Sequence, residues 1–185
     1  MALRGSTMIA GVDLSLTSTG VATITSTMTN VWTIPTKGKR ADPLSDRGVR
    51  LRGIADQVLQ LTAAADLVVI EGPGYGAPGG STWDRAGLWW LVVSRLQRLD
   101  VPVVVVAPTT RAKYATGKGN ADKAAVAVAV AKLFPALEIN NSDEADSLAL
   151  AHLGAVGRGL FTASEARTAI AVQHVSVVVP ELKVS

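Results

Sequence analysis

Between Met8 and Pro35 three strand-like runs follow one another with only short turns between them, and from Leu44 onward the apolar residues change to helical spacing. Residues 8–12 form a buried-strand pattern, 21–27 a second and 30–35 a third, close enough together for an antiparallel meander. Leu44, Leu51, Ile54, Val58 and Leu61 then recur as one face of a helix. Strands at 67–70 and 103–106 alternate with helices at about 82–99, 120–134 and 142–156. Strands separated by helices imply parallel crossovers. This order, βββαβαβα followed by another helix, predicts an α/β fold. Its five-stranded mixed sheet has three antiparallel strands, then parallel ones, with helices on its flanks.

Residues 120–134 carry two periods at once. Val126, Val128 and Val130 alternate with Ala as a strand would, yet Asn120 suits an N-cap and the run is long for a strand, so a helix is expected. Beyond the Gly157 to Gly159 break, Thr162 and Glu165 form a capping-box pattern, and 175–179 reads as a strand. The expected organisation is one domain over 1–159 and a tail over 160–185.

A chain of 185 residues with 48% hydrophobic and 18% charged content suits one compact core and excludes disorder as the main state. The absence of cysteine excludes disulfides, thiolate-held zinc and thiol catalysis. Residues 1–7 carry one Arg and no apolar run of signal-peptide length. The apolar stretch at 124–131 is far shorter than the roughly 20 residues of a membrane span. A cytoplasmic protein with no membrane partner is expected.

Against a net charge of +3, acids at the ends of elements are informative. Asp13 closes an apolar strand, where Asp is depleted and an unpaired carboxylate is costly. Two readings of it stand: a turn residue bonded to the backbone near Ser15 or Thr17, or a ligand-facing acid. Glu71 ends another strand, and in parallel α/β sheets ligands bind at the carboxyl ends of strands. Asp143 and Asp146, three apart, share one helix face. Alone they would be ordinary first-turn acids, with Asn141 and Glu144 as the cap and Glu144 off the shared face. Together, the four carboxylates have the donor chemistry of a hard divalent cation such as Mg²⁺. Two-metal phosphoryl chemistry needs such a cluster.

These residues resemble the RuvC family of Holliday-junction resolvases, within the ribonuclease H-like superfamily. Residues 8–20, MIAGVDLSLTSTG, are similar to that family's first-strand motif, and Val68 to Glu71 to its second acidic motif. Residues 117–123, GKGNADK, resemble its glycine-bracketed basic segment, and 143–149, DEADSLA, its final acidic helix. The ordered set spans residues 8–156. The resemblance implies a ribonuclease H-like fold and a Mg²⁺-dependent endonuclease that nicks branched DNA as a homodimer, with two ions and Mn²⁺ as a substitute. It implies that Asp13 bridges both metals, that Glu71, Asp143 and Asp146 complete their shells, and that Lys123 meets the phosphate near the scissile bond. Tyr75, in the glycine-rich loop after Glu71, takes the place of the family's aromatic wedge. That loop is longer than the family's, which opens flaps and forks as substrates beside four-way junctions.

Lys37, Lys39, Arg40, Arg47, Arg50 and Arg52 form the densest basic stretch, and Arg111, Lys113, Lys118 and Lys123 a second. Phosphate contacts of this kind give affinity without sequence information. A solvated helix face is the alternative for 47–52, and a solvated loop for Lys118. Trp89 and Trp90 point about 100° apart on one helix, so either one enters the core while the other seeks a second surface such as a dimer contact, or both are buried at the edges of one core. Trp83 either anchors the glycine-rich loop or stacks on a base. His152 lies off the acidic face, and His174 has no site around it. Two rival functions remain open on sequence: a fragment of a sugar kinase- or actin-like ATPase, from the hairpin-like turn at 13–20, and a DNA-binding module without catalysis.

Overall fold

A computed structural model describes residues 7–73 and 81–160. Its strands are β1 (Ile9–Asp13), β2 (Ser18–Ile24), β3 (Thr29–Pro35), β4 (Leu67–Glu71) and β5 (Val103–Val106). Its helices are α1 (Leu44–Thr62), α2 (Thr82–Arg98), α3 (Pro108–Thr116), α4 (Lys123–Leu133) and α5 (Ser142–Gly157). The sheet order is β3-β2-β1-β4-β5. β1 to β3 form the antiparallel meander, while β4 lies parallel to β1 and β5 parallel to β4. The mixed five-stranded sheet expected from the sequence is the one present.

The period of two along the strands sorts side chains between two cores. Ile9, Leu67 and Val69 pack with α3, α4 and α5 on one face; Ala10, Val12, Val68 and Ile70 pack with α1 and α2 on the other. Asp13 continues the series Ile9 and Gly11, and Glu71 continues Leu67 and Val69. Both strand-borne acids therefore belong to the α5 face. The β1–β4 register ends at Val12 opposite Ile70, which sets Asp13 and Glu71 one step beyond, side by side.

Helix α5 is buried along almost its whole length, from Glu144 to Val156. Leu148, Leu150 and Leu153 supply apolar bulk, each contributing about 1.5–3 kcal/mol on full burial, while Ala149, Ala151 and Gly154 keep it thin. Glycines in the sheet let it approach to backbone contact. Gly20 pairs with Asp13 across β1 and β2. A Cβ on Gly20 would stand 2.0 Å from the Asp143 carbonyl oxygen, so no other residue fits there without moving α5.

Two elements shift by more than one residue from the sequence reading, and one helix is added. β2 begins at Ser18 and ends at Ile24, because the Thr25 hydroxyl takes the N–H groups of Thr27 and Met28 and makes a turn of residues that read as strand. α4 begins at Lys123 with Asp122, not Asn120, as its cap; Asp122 Oδ1 accepts the Ala125 N–H at 2.7 Å. α3 was not expected at all. It is nine residues long with Pro108 at its first turn, and Gly117 closes it at φ 82°. The helix and strand expected at 162–165 and 175–179 lie outside the described residues. Among the described residues no helix is long and apolar enough to cross a membrane.

Candidate active site

Strands β1 and β4 bring Asp13 and Glu71 to one end of the sheet, and the first turns of α5 bring Asp143 and Asp146 over them. The start of α5 is fixed by its cap. Asn141 Oδ1 accepts the N–H groups of Asp143 and Glu144 at 3.0 and 2.9 Å. Its amide donates to Thr33 Oγ1 at 2.9 Å. Glu144 turns away from the cluster: its Oε1 accepts from the Thr33 hydroxyl and its Oε2 from the Asn140 N–H, both at 2.7 Å. Thr33 of β3 thus ties the helix start to the sheet.

The turn after Asp13 does not consume its carboxylate. Ser15 and Thr19 close that turn: the Ser15 N–H donates to Thr19 Oγ1 at 3.1 Å, and the Thr19 hydroxyl donates to the Ser15 carbonyl at 2.8 Å. The Asp13 carboxyl is pushed up to about 7, first by burial and then by the charges of Glu71 and Asp146, with Arg111 opposing. Asp146, whose side chain is 2% exposed, is raised to about 6 by burial, with Arg111 opposing and Glu71 adding to the rise. Carboxylates gathered away from water repel one another and hold protons.

The cation already among them is Arg111. Its Nε donates to Glu71 Oε2 and its Nη1 to Asp146 Oδ1. Burial acts to lower its pKa, but the bond to Glu71 and the charges of Glu71, Asp146 and Asp13 outweigh that, and the net shift is upward. The sequence reading grouped Arg111 with Lys113, Lys118 and Lys123 as phosphate contacts; unlike those lysines it is buried, 8% exposed. The reason is helical: Ala112, Tyr114 and Ala115 on α3 are buried as well, and Arg111 shares their side of the helix.

Lys123, the first residue of α4, lies with its Nζ 3.6 Å from Asp143 Oδ1 and its side chain 66% exposed. Lys37, Lys39, Arg40, Lys113 and Lys118 are exposed, as a phosphate-facing surface requires. Arg47 and Arg50 are not a free basic face. Both pair with buried Asp84 of α2, Arg47 at 2.5 Å and Arg50 at 3.8 Å. Tyr75 lies outside the described residues. Trp89 is partly buried and donates its Nε1–H to the Glu71 carbonyl at 3.0 Å, which steadies the end of β4. Trp90 meets it edge to face and is largely exposed, and Trp83 is more exposed still. His152 packs in the core, with its Nδ1 2.6 Å from the Tyr114 hydroxyl and its ring against Phe134.

The donors suit a hard cation in kind, being carboxylate oxygens crowded enough to hold protons. Among the described residues, however, no three His, Cys, Asp or Glu side chains close on one point as a metal cage. Arg111 stands between Glu71 and Asp146.

Two solved structures of Thermus thermophilus RuvC are similar to this chain in fold. One matches with a TM-score of 0.64 over 83% of this chain and 97% of that one, at 20% sequence identity. The other, in complex with a Holliday junction substrate, matches with a TM-score of 0.62 over 78% and 90%, at 21% identity. The fold is that of RuvC. It is the ribonuclease H-like architecture of a mixed sheet with helices on both faces. No family model matches the sequence, and no curated protein does.

Proposed function

We propose that this chain is a metal-dependent endonuclease that cuts Holliday junctions or related branched DNA by phosphodiester hydrolysis. The observation that carries the reading is the gathering of Asp13, Glu71, Asp143 and Asp146 from three elements at one end of a RuvC-type sheet. Asp13, Glu71, Asp143 and Asp146 would hold Mg²⁺, two ions in all, with Mn²⁺ able to replace it. Bound there, the metal would supply the Lewis acidity that activates water and steadies the leaving oxygen.

The chain's own residues do the rest. β1, β4 and the capped start of α5 carry the four carboxylates on rigid elements. Lys123, exposed beside Asp143, reaches toward the phosphate next to the cleaved bond. Lys37, Lys39, Arg40, Lys113 and Lys118 bind the backbone of the arms. A homodimer would place two such sites on one four-way junction for paired cuts. Exposed Trp83 and Trp90 on α2 offer an apolar surface for that contact.

The test uses end-labelled four-way junctions, flaps and linear duplex in Mg²⁺, with Asp146→Asn alongside. Nicking of branched substrates over duplex, lost in the variant, is expected. Binding of junctions without any cut in Mg²⁺ or Mn²⁺ would leave a DNA-binding module and refute the nuclease.

A further inference from the structure

Arg111 reaches out of α3 and bonds two carboxylates from different elements, Glu71 of β4 and Asp146 of α5. It is the buried cation of the cluster, since Lys123 remains mostly in solvent beside Asp143. A guanidinium keeps its charge at any pH the protein meets, so it cannot leave these carboxylates by losing a proton. It can leave only by moving. The oxygens it occupies, Glu71 Oε2 and Asp146 Oδ1, are among those a divalent cation would need.

The same planar fork that fits two carboxylates also fits a phosphate. A nucleic-acid backbone entering this end of the sheet would bring such phosphates to Arg111. Arg111 therefore has two carboxylate partners in the free protein and a phosphate partner available in the complex.

We infer that Arg111 is an internal counter-cation: it holds Glu71 and Asp146 together in the metal-free protein, and it must be displaced before a divalent ion can take both carboxylates. This rests on the reading that the four acids hold a divalent cation. Pairing by Arg111 and loading with metal are then mutually exclusive. A phosphate that draws the guanidinium away promotes metal binding, and by linkage the metal promotes phosphate binding to the same degree. The free protein is kept from loading fully until a polyanion is in place. If Arg111 were only a clamp compatible with metal, its removal would weaken metal binding or leave it unchanged.

The test is Mn²⁺ binding to the EDTA-stripped full chain, followed by electron paramagnetic resonance, for wild type and Arg111→Gln. The variant is expected to bind Mn²⁺ about tenfold or more tightly. It should melt at a lower temperature than wild type without metal and gain more from saturating Mn²⁺. Equal or weaker binding by the folded variant overturns the inference and leaves the metal reading intact. Binding by neither protein overturns both. Should Arg111→Gln fail to fold, nitrogen-detected NMR of the Arg111 side chain in wild type decides. Its Nε–H is expected to lose its carboxylate partner and exchange with water as Mg²⁺ saturates the site. A signal unchanged at saturating Mg²⁺ overturns the inference.

Discussion

Gly11 lies so close beneath α5 that a Cβ built on it would stand 2.1 Å from the Ser147 carbonyl oxygen. The Ala151 nitrogen would be 2.4 Å away. Both neighbours are backbone, so neither can swing aside. Any side chain at Gly11 must lift α5 from β1 and carry Asp143 and Asp146 away from Asp13. The closeness of helix to sheet is what makes a four-acid cluster available to this chain.

Gly11→Ala is accordingly expected to destabilise the fold by about 1–3 kcal/mol through overpacking. Urea unfolding should show a lower midpoint with the slope unchanged. DNA cutting should fall further than the unfolded fraction explains. A variant as stable and as active as wild type would contradict the close packing.

Asp84 holds the start of α2 against α1 through Arg47, with bonds of 2.5 and 2.9 Å, and through Arg50. Asp84→Asn removes the counter-charge of both guanidinium groups. The urea midpoint is expected to fall, and an unchanged midpoint would deny these pairs a part in holding α2 to α1.

The raised carboxyls set a pH dependence. Asp13 moves from 3.8 to about 7 and Asp146 from 3.8 to about 6. Between those limits the folded protein keeps protons that the unfolded chain has released. Stability contributed by these groups is therefore present below about pH 4 and is lost as pH rises toward 7. In EDTA the melting temperature should be higher at pH 5 than at pH 8, and Asp13→Asn should flatten the slope. Cutting in Mg²⁺ should increase over the same range as the carboxyls ionise. An unchanged slope in Asp13→Asn would assign the dependence to other groups.

Lys123 is exposed and 3.6 Å from Asp143, so it contributes little to the fold. Lys123→Ala should alter stability by no more than about 0.5 kcal/mol and yet slow cutting about 100-fold. Replacing Lys37 or Lys39 should instead weaken junction binding uniformly and lower the slope of log K against log salt by about one each. Identical behaviour of Lys123 and Lys37 variants would deny Lys123 a place at the scissile phosphate.

Much of this arrangement was legible because the acids break the pattern around them. Asp13 and Glu71 each end an apolar strand, and the period of two then assigns both to the α5 face. The burial of Arg111 was missed because α3 is short, and its Thr109 and Thr110 are weak helix formers. A signal was present: Pro108 and Gly117 bracket a helix on which Arg111 shares a side with Tyr114 and Ala115. Charge alone argued for the surface, and a cluster of acids across the sheet overrode it. The close seat of α5 was not legible either, since Gly11 and Gly20 read as ordinary strand glycines until the helix above them is known. Trp89 and Trp90 divide, one partly buried toward the core and one toward solvent, and are not both buried at its edges.

Exchange of the metal on a bound junction tests whether Asp13 and its three neighbours cut branched DNA. A labelled four-way junction is bound in Ca²⁺ by wild type and by Asp13→Asn, then transferred to Mg²⁺ and resolved on a denaturing gel. Wild type should yield nicks near the branch point, while the variant binds as tightly and yields none. Nicking by Asp13→Asn at the wild-type rate, or intact strands with both proteins, would contradict it.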